Sequence, residues 1–163
     1  MRKEINKPMR SVEWNSEKCE LHMIDQRLLP GAFEVVVCRD YHDTARAITD
    51  MVVRGAPAIG AAAAYGIAIA ACQSNQTEID PFTREINEAA RVLNQSRPTA
   101  VNLAWAIKRM QRVLVTSNDV SALKESLIKE AVTIAEEDVL TNKKISTIGA
   151  ELLKDGDTVI HHC

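Results

Sequence analysis

Two arginines, each set close ahead of a proline, are the side chains here whose type and spacing could do chemistry. In Arg54-Gly55-Ala56-Pro57-Ala58-Ile59-Gly60, an arginine and a tight turn lead into an almost wholly apolar run that ends near Cys72. Pro57 suits the first position of a helix, where its missing N–H is no loss. The N–H groups of Ala58 and Ile59 are then expected to point outward beside the Arg54 guanidinium. Helix dipole and charge together would hold a phosphate there. The competing reading is a plain Gly-Ala-Pro turn into a buried helix. Arg97-Pro98-Thr99 repeats the logic, with proline forcing Arg97 out of helical conformation and opening a further helix. Taken alone, Arg97 reads as a capping or surface residue; paired with Arg54, it makes half of a site that could grip one sugar phosphate.

His161-His162-Cys163 is the other chemical cluster. On a strand, His161 and Cys163 would share a face, and open α/β sheets place their ligands at such strand ends. A thiol there could accept or donate a proton; the alternative is a half-buried cysteine of no reactivity. His162 would face the other way, which argues against a His-His-Cys metal cluster. Cys19, Cys38 and Cys72 read as packing. The four cysteines form no C-x-x-C pair, so no zinc site is expected.

The elements that must position these residues change character along the chain. From Met9 to Arg39, short apolar groups (Val12/Trp14, Leu21/Met23, Phe33 to Val37) are separated by the turn formers Asn15-Ser16 and Pro30-Gly31, which predicts a three-stranded antiparallel meander. Asp40 is the expected N-cap of a helix carrying Ala45, Ile48 and Val52 on one face. Ala58 to Cys72 is apolar on every face, the pattern of a central bundle helix. Asp80-Pro81 predicts an N-cap and first residue for a helix with Phe82, Ile86, Ala90 and Leu93 inward. Leu103, Ile107, Met110 and Leu114 form the next stripe, backed by Lys108, Arg109 and Arg112 as a solvated face. Leu123, Leu127, Ala131 and Ile134 form the last, on a helix expected to end near Asn142. After a shorter segment from Ile145 to Leu153, the Asp155-Gly156-Asp157 turn leads to a strand beginning Thr158-Val159-Ile160-His161.

The expected class is therefore α+β: a small antiparallel β-meander plus a helical bundle, leading into the first strand of a truncated Rossmann-like α/β domain. Residues 1–8 are read as a tail, 9–142 as the meander and bundle, and 143–163 as the start of the Rossmann-like part. A lone strand cannot pair its backbone, so the chain is expected to continue.

Composition limits the partners. The 163 residues are 46% hydrophobic and 26% charged, and Lys+Arg 20 against Asp+Glu 22 gives a net charge of -2. No basic excess favours nucleic acid or an anionic membrane. The first residues lack the apolar core of a signal peptide, and the run after Pro57 reads as too short to span a bilayer comfortably. The expected setting is cytoplasmic, the expected partner a small molecule.

Several spaced motifs carry a family resemblance: Met9-Arg10-Ser11-Val12-Glu13-Trp14, Val53-Arg54-Gly55-Ala56-Pro57-Ala58-Ile59-Gly60, Ser96-Arg97-Pro98-Thr99-Ala100-Val101-Asn102-Leu103 and His162-Cys163. In these the chain resembles the S-methyl-5-thioribose-1-phosphate isomerase family, within the initiation factor 2B alpha/beta/delta-like superfamily. The Ala-Pro after Arg-Gly favours that family over ribose-1,5-bisphosphate isomerases and non-catalytic initiation factor 2B-like regulatory subunits, which are the alternatives. The resemblance implies an aldose-ketose isomerase of methionine salvage, a homodimer when full length, working without metal or redox cofactor. It implies substrate contacts from Arg54, Gly55, Ala56 and Arg97, and a catalytic Cys163. It also implies an aspartate proton donor beyond Cys163, so that the chain by itself is expected to be inactive.

Overall fold

The structure, a computed structural model, describes residues 10–160. Three short strands come first: β1 (Val12–Asn15), β2 (Glu20–Ile24) and β3 (Val35–Cys38). They pair antiparallel in the order β1-β2-β3, with Val12 opposite Met23, Trp14 opposite Leu21, and Leu21 opposite Cys38. Alternation turns Val12, Leu21, Met23 and Cys38 into the core and leaves Glu13, Glu20 and His22 on the other face. The β1–β2 turn is an Asx turn, in which Asn15 Oδ1 accepts from the amides of Glu17 and Lys18 at 3.1 and 3.2 Å. The expected meander is thus present.

Five helices follow: α1 (Tyr41–Thr49), α2 (Ala56–Gln73), α3 (Ile79–Ser96), α4 (Val101–Val113) and α5 (Val120–Ala150). Asp40 caps α1 as expected, its carboxylate accepting from the Asp43 amide at 2.6 Å. Every residue of α2 from Ile59 to Ala71 is buried. By length and composition α2 is apolar enough to cross a membrane, which corrects the expectation that it is too short. Its neighbours cover it instead. Small residues let them approach. A Cβ at Gly60 would lie 3.0 Å from the Asn102 carbonyl oxygen of α4, and one at Gly66 would lie 3.0 Å from the Leu93 methyl carbons of α3. Trp14 of β1 stacks on Tyr65 of α2, centroids 5.4 Å apart and planes 2° from parallel, which seats the sheet on the bundle.

The inward stripes are those the spacing predicts. Phe82, Ile86, Ala90 and Leu93 of α3, Leu103, Ile107 and Met110 of α4, Leu114 just after it, and Leu123, Leu127, Ala131 and Ile134 of α5 are all buried. Four boundaries differ. α1 ends at Thr49, so Val52 is buried from the following turn rather than from the helix. α3 begins at Ile79 with Glu78 at the cap, because the Phe82 amide already donates to the Glu78 carbonyl at 3.1 Å, and Asp80-Pro81 therefore lies inside the first turn. Pro98 does not open α4. It sits in a turn closed by the Ala100 amide on the Arg97 carbonyl at 3.0 Å, and α4 starts at Val101. Finally, α5 runs unbroken through Asn142 to Ala150, absorbing the segment expected from Ile145. Thr158 to Ile160 form no strand, since nothing in the described residues offers them a backbone to pair with.

Candidate anion site at one end of the bundle

Arg54 reaches its position on a braced segment. Val52 and Val53 are buried, the Val52 amide donates to the Ala47 carbonyl at 2.9 Å, and Gln26 holds the segment from the sheet side. The Gln26 amide donates to the Val52 carbonyl at 3.0 Å and its Nε2 to the Arg54 carbonyl at 3.4 Å. Gly55 then takes φ 91°, a conformation only glycine adopts without strain, and serves as the N-cap of α2. It has no side chain to cap with. The Ile59 amide donates to the Gly55 carbonyl at 3.0 Å, so the expectation that it points outward is corrected. With Pro57 lacking an N–H, the open donors of the first turn are the amides of Ala56 and Ala58.

Arg97 ends α3 at φ −149°, ψ 84°, out of helical conformation as the following proline predicts. It is half-buried, and the Thr49 hydroxyl donates to the neighbouring Ser96 carbonyl at 3.3 Å. That bond joins the C-terminal ends of α1 and α3. The close approach of Gly60 to Asn102 sets the first turn of α4 against the start of α2, and Ala100, at the α4 cap, offers no side-chain acceptor. Two uncapped helix N-termini and both arginines therefore gather at one end of the bundle. A cavity of about 250 Å³ flanks the same end, lined by Arg10 and Val12, by Ala58 and Ala61 of α2, and by Val139 and Lys143 of α5.

Neither the Arg54 nor the Arg97 guanidinium makes a hydrogen bond or ion pair among the described residues. Arg10, Arg27, Arg39, Arg46, Arg91 and Arg109 each hold a carboxylate. Uncommitted guanidiniums beside open helix amides are what an anion requires. His161, His162 and Cys163 lie outside the described residues.

Two features escaped the sequence reading. Gln26 carries no motif, and only the pairing of the sheet with the post-α1 turn shows its role. Arg109, expected on a solvated face, instead bridges α4 to α5 through Glu130 and Glu137 and stacks 5.5 Å from the Trp105 centroid. Hydrogen bonding to Glu137, then to Glu130, outweighs burial and holds its guanidinium far above the usual arginine value. Glu137 is held below the carboxylate range in return. The readable signals were Trp105 four residues before Arg109, and Glu130 and Glu137 seven apart on one helix face.

Comparison with known proteins places the molecule. "Methylthioribose-1-phosphate isomerase" of Thermosipho africanus is 47% identical over 153 residues, an alignment covering 94% of this chain and 44% of that protein. The crystal structure of 5-methylthioribose 1-phosphate isomerase from Pyrococcus horikoshii superposes with a TM-score of 0.87 at 39% identity, covering 92% of this chain and 42% of that one. The translation initiation factor eIF-2B subunit delta from A. fulgidus superposes with a TM-score of 0.84 at 43% identity, covering 91% and 43%. The chain thus spans less than half the length of these relatives. With residues 52–163 matching the family directly, it belongs to the Initiation factor 2 subunit family.

Proposed function

We propose that this chain forms the N-terminal part of an aldose-ketose isomerase that converts 5-methylthioribose 1-phosphate to 5-methylthioribulose 1-phosphate. The observation that carries the reading is the pair of uncommitted arginines, Arg54 and Arg97, at two open helix N-termini on one end of the bundle. Both stand in the motifs that resemble the isomerase family, and relatives of that name are 47% and 39% identical. In this reading Arg54, Gly55, Ala56 and Arg97 contact the substrate, and the anion is its C1 phosphate. That phosphate blocks the easy ring opening available to a free aldose. The site must therefore protonate the ring oxygen as the C1–O bond breaks, then move the C2 proton to C1 while the C2 hydroxyl becomes the carbonyl. In this reading Cys163 works at carbon, and an aspartate from the part of the relatives' length that this chain does not span serves as the acid. The complete enzyme is read as a cytoplasmic homodimer that needs no metal or redox cofactor.

The likeness to the A. fulgidus subunit supports a second reading, a non-catalytic subunit that binds partners through the same fold. A ribose-1,5-bisphosphate isomerase is the third. NMR of the full-length protein with each sugar phosphate separates them. The expected result is turnover of 5-methylthioribose 1-phosphate, none by the 163 residues alone, and a loss on the order of 100-fold in Cys163→Ser, whose hydroxyl stays protonated near neutral pH. Turnover of ribose 1,5-bisphosphate alone would overturn the substrate, and no turnover of either would favour the subunit. A Cys163→Ser variant keeping a third of the rate would remove Cys163 from the chemistry.

A further inference from the structure

The cavity of about 250 Å³ at the arginine end begins within the anion site itself: Ala58, whose amide is an open donor of the first turn of α2, also lines the hollow. Ala61, three residues further along α2, lines it too, and Ala135 and Val139 of α5 and Val12 of β1 complete an apolar wall drawn from three elements. Small side chains make the space. Ala61 and Ala135 are both buried, yet between them α2 and α5 leave a gap that larger residues would fill. Among the uncharged lining residues only Ser11 has a side chain able to hydrogen-bond. The charges at the rim cancel. Arg10 is held by Glu136 through bonds of 2.5 and 3.1 Å, and Lys143 is matched by Asp138, whose Oδ1 accepts from Asn142 Nδ2 at 3.0 Å.

We propose that this cavity takes the apolar substituent a sugar phosphate carries at the carbon remote from its phosphate, and so sets a preference for a 5-alkylthio group over a 5-hydroxyl or a second phosphate. The assignment rests on the isomerase reading above. With the phosphate on the open amides at the start of α2, the far end of the sugar lies against the Ala58 side of the helix, where the cavity is. An alkylthio group needs no hydrogen bond and gains by leaving water. A hydroxyl set against Ala58, Ala61 and Ala135 meets methyl groups and gives up the bonds it had in water. A second phosphate would bring its charge to a rim of zero net charge, where Arg10 is already committed to Glu136. The rival position is the hollow beside Arg97. It is lined only by residues between Pro98 and Lys108, Trp105 among them, so a single turn and helix form it and no second element closes over a ligand.

Initial rates of the full-length protein on 5-methylthioribose 1-phosphate and on ribose 1-phosphate, which differs only in its 5-hydroxyl, test the proposal. The wild type should prefer the first by roughly 10-fold to 200-fold in kcat/KM, the range that a methylene-sized group commands in an apolar pocket. Ala61→Leu and Val139→Phe fill the cavity from two different helices, and each should cut that preference to about 3-fold or less by loss on the methylthio sugar alone. Thermal midpoints show which variants fold, and if one does not, the other decides. Trp105→Ala should leave the preference where it was. A wild type without preference, equal losses on both sugars, a preference unmoved by filling the cavity, or one abolished by Trp105→Ala would overturn the cavity's role and leave the isomerase reading standing. Turnover of neither sugar by the wild type would overturn both.

Discussion

Arg109 ties α4 to α5, and Gln26 holds the backbone of the Arg54 segment. Arg109 is about one-fifth exposed and pairs with two carboxylates, so Arg109→Ala should cost about 1 to 2 kcal/mol, through lost packing on Trp105 as well as lost charge. The pH dependence has a definite sign. Glu136 beside Arg10 and Glu137 beside Arg109 are held below the ordinary carboxylate value in the folded state. Their contribution is complete above the unfolded value, about 4.3, and is lost as pH falls through the lower folded values. Melts from pH 7 down to pH 3 should show Arg109→Ala losing less stability on acidification than the wild type; equal slopes would mean the pair is too well solvated to matter. Gln26→Ala should leave folding intact and, if Arg54 binds substrate as proposed, weaken that binding by a few-fold in the full-length protein, because it loosens the Arg54 segment without touching the ligand. Arg54 and Arg97 were legible as residues because proline and glycine punctuate the backbone around them. Gln26 was not, since its value arises only when β2 and the turn after α1 are brought together.

At the scale of elements, the close approaches of α2 decide what the helices tolerate. Gly60 faces a backbone oxygen of α4, which cannot rotate away, whereas Gly66 faces the ends of the Leu93 side chain and, at 3.1 Å, the Thr44 methyl of α1, side chains rather than backbone. Replacing a helical glycine by alanine gains about 1 kcal/mol in propensity. Gly66→Ala should therefore come out near neutral, while Gly60→Ala should lose about 1 to 2 kcal/mol net as α4 is pushed away. Urea melts of the two variants check the order; a Gly60→Ala variant as stable as Gly66→Ala would show that α4 is free to shift. The sheet and the inward stripes were legible because burial imposes periods of 2 and 3.6 on the sequence. The helix starts at Ile79 and Val101 were not. There an ordinary backbone carbonyl, of Glu78 or Ala100, accepts the first helical bond without the polar side chain that sequence reasoning relies on. The length of α5 was hidden too, since past Ala135 its side chains stop being buried and the stripe fades while the helix continues.

At the scale of the whole molecule, the topology brings the starts of α2 and α4 to the same end, each with an arginine that makes no ion pair among the described residues. Only this juxtaposition brings two short motifs far apart in sequence to the same end of the bundle, and no spacing rule within either motif could show it. The direct measurement is the dissociation constant for 5-methylthioribose 1-phosphate of the full-length protein, taken by calorimetry beside thermal midpoints for wild type, Arg54→Ala and Arg97→Ala. Losing one charge-assisted contact costs about 1.5 to 3 kcal/mol, so each variant should bind roughly 10-fold to 150-fold more weakly with its midpoint nearly unchanged. A collapsed midpoint with affinity intact would make the arginines structural and contradict the site.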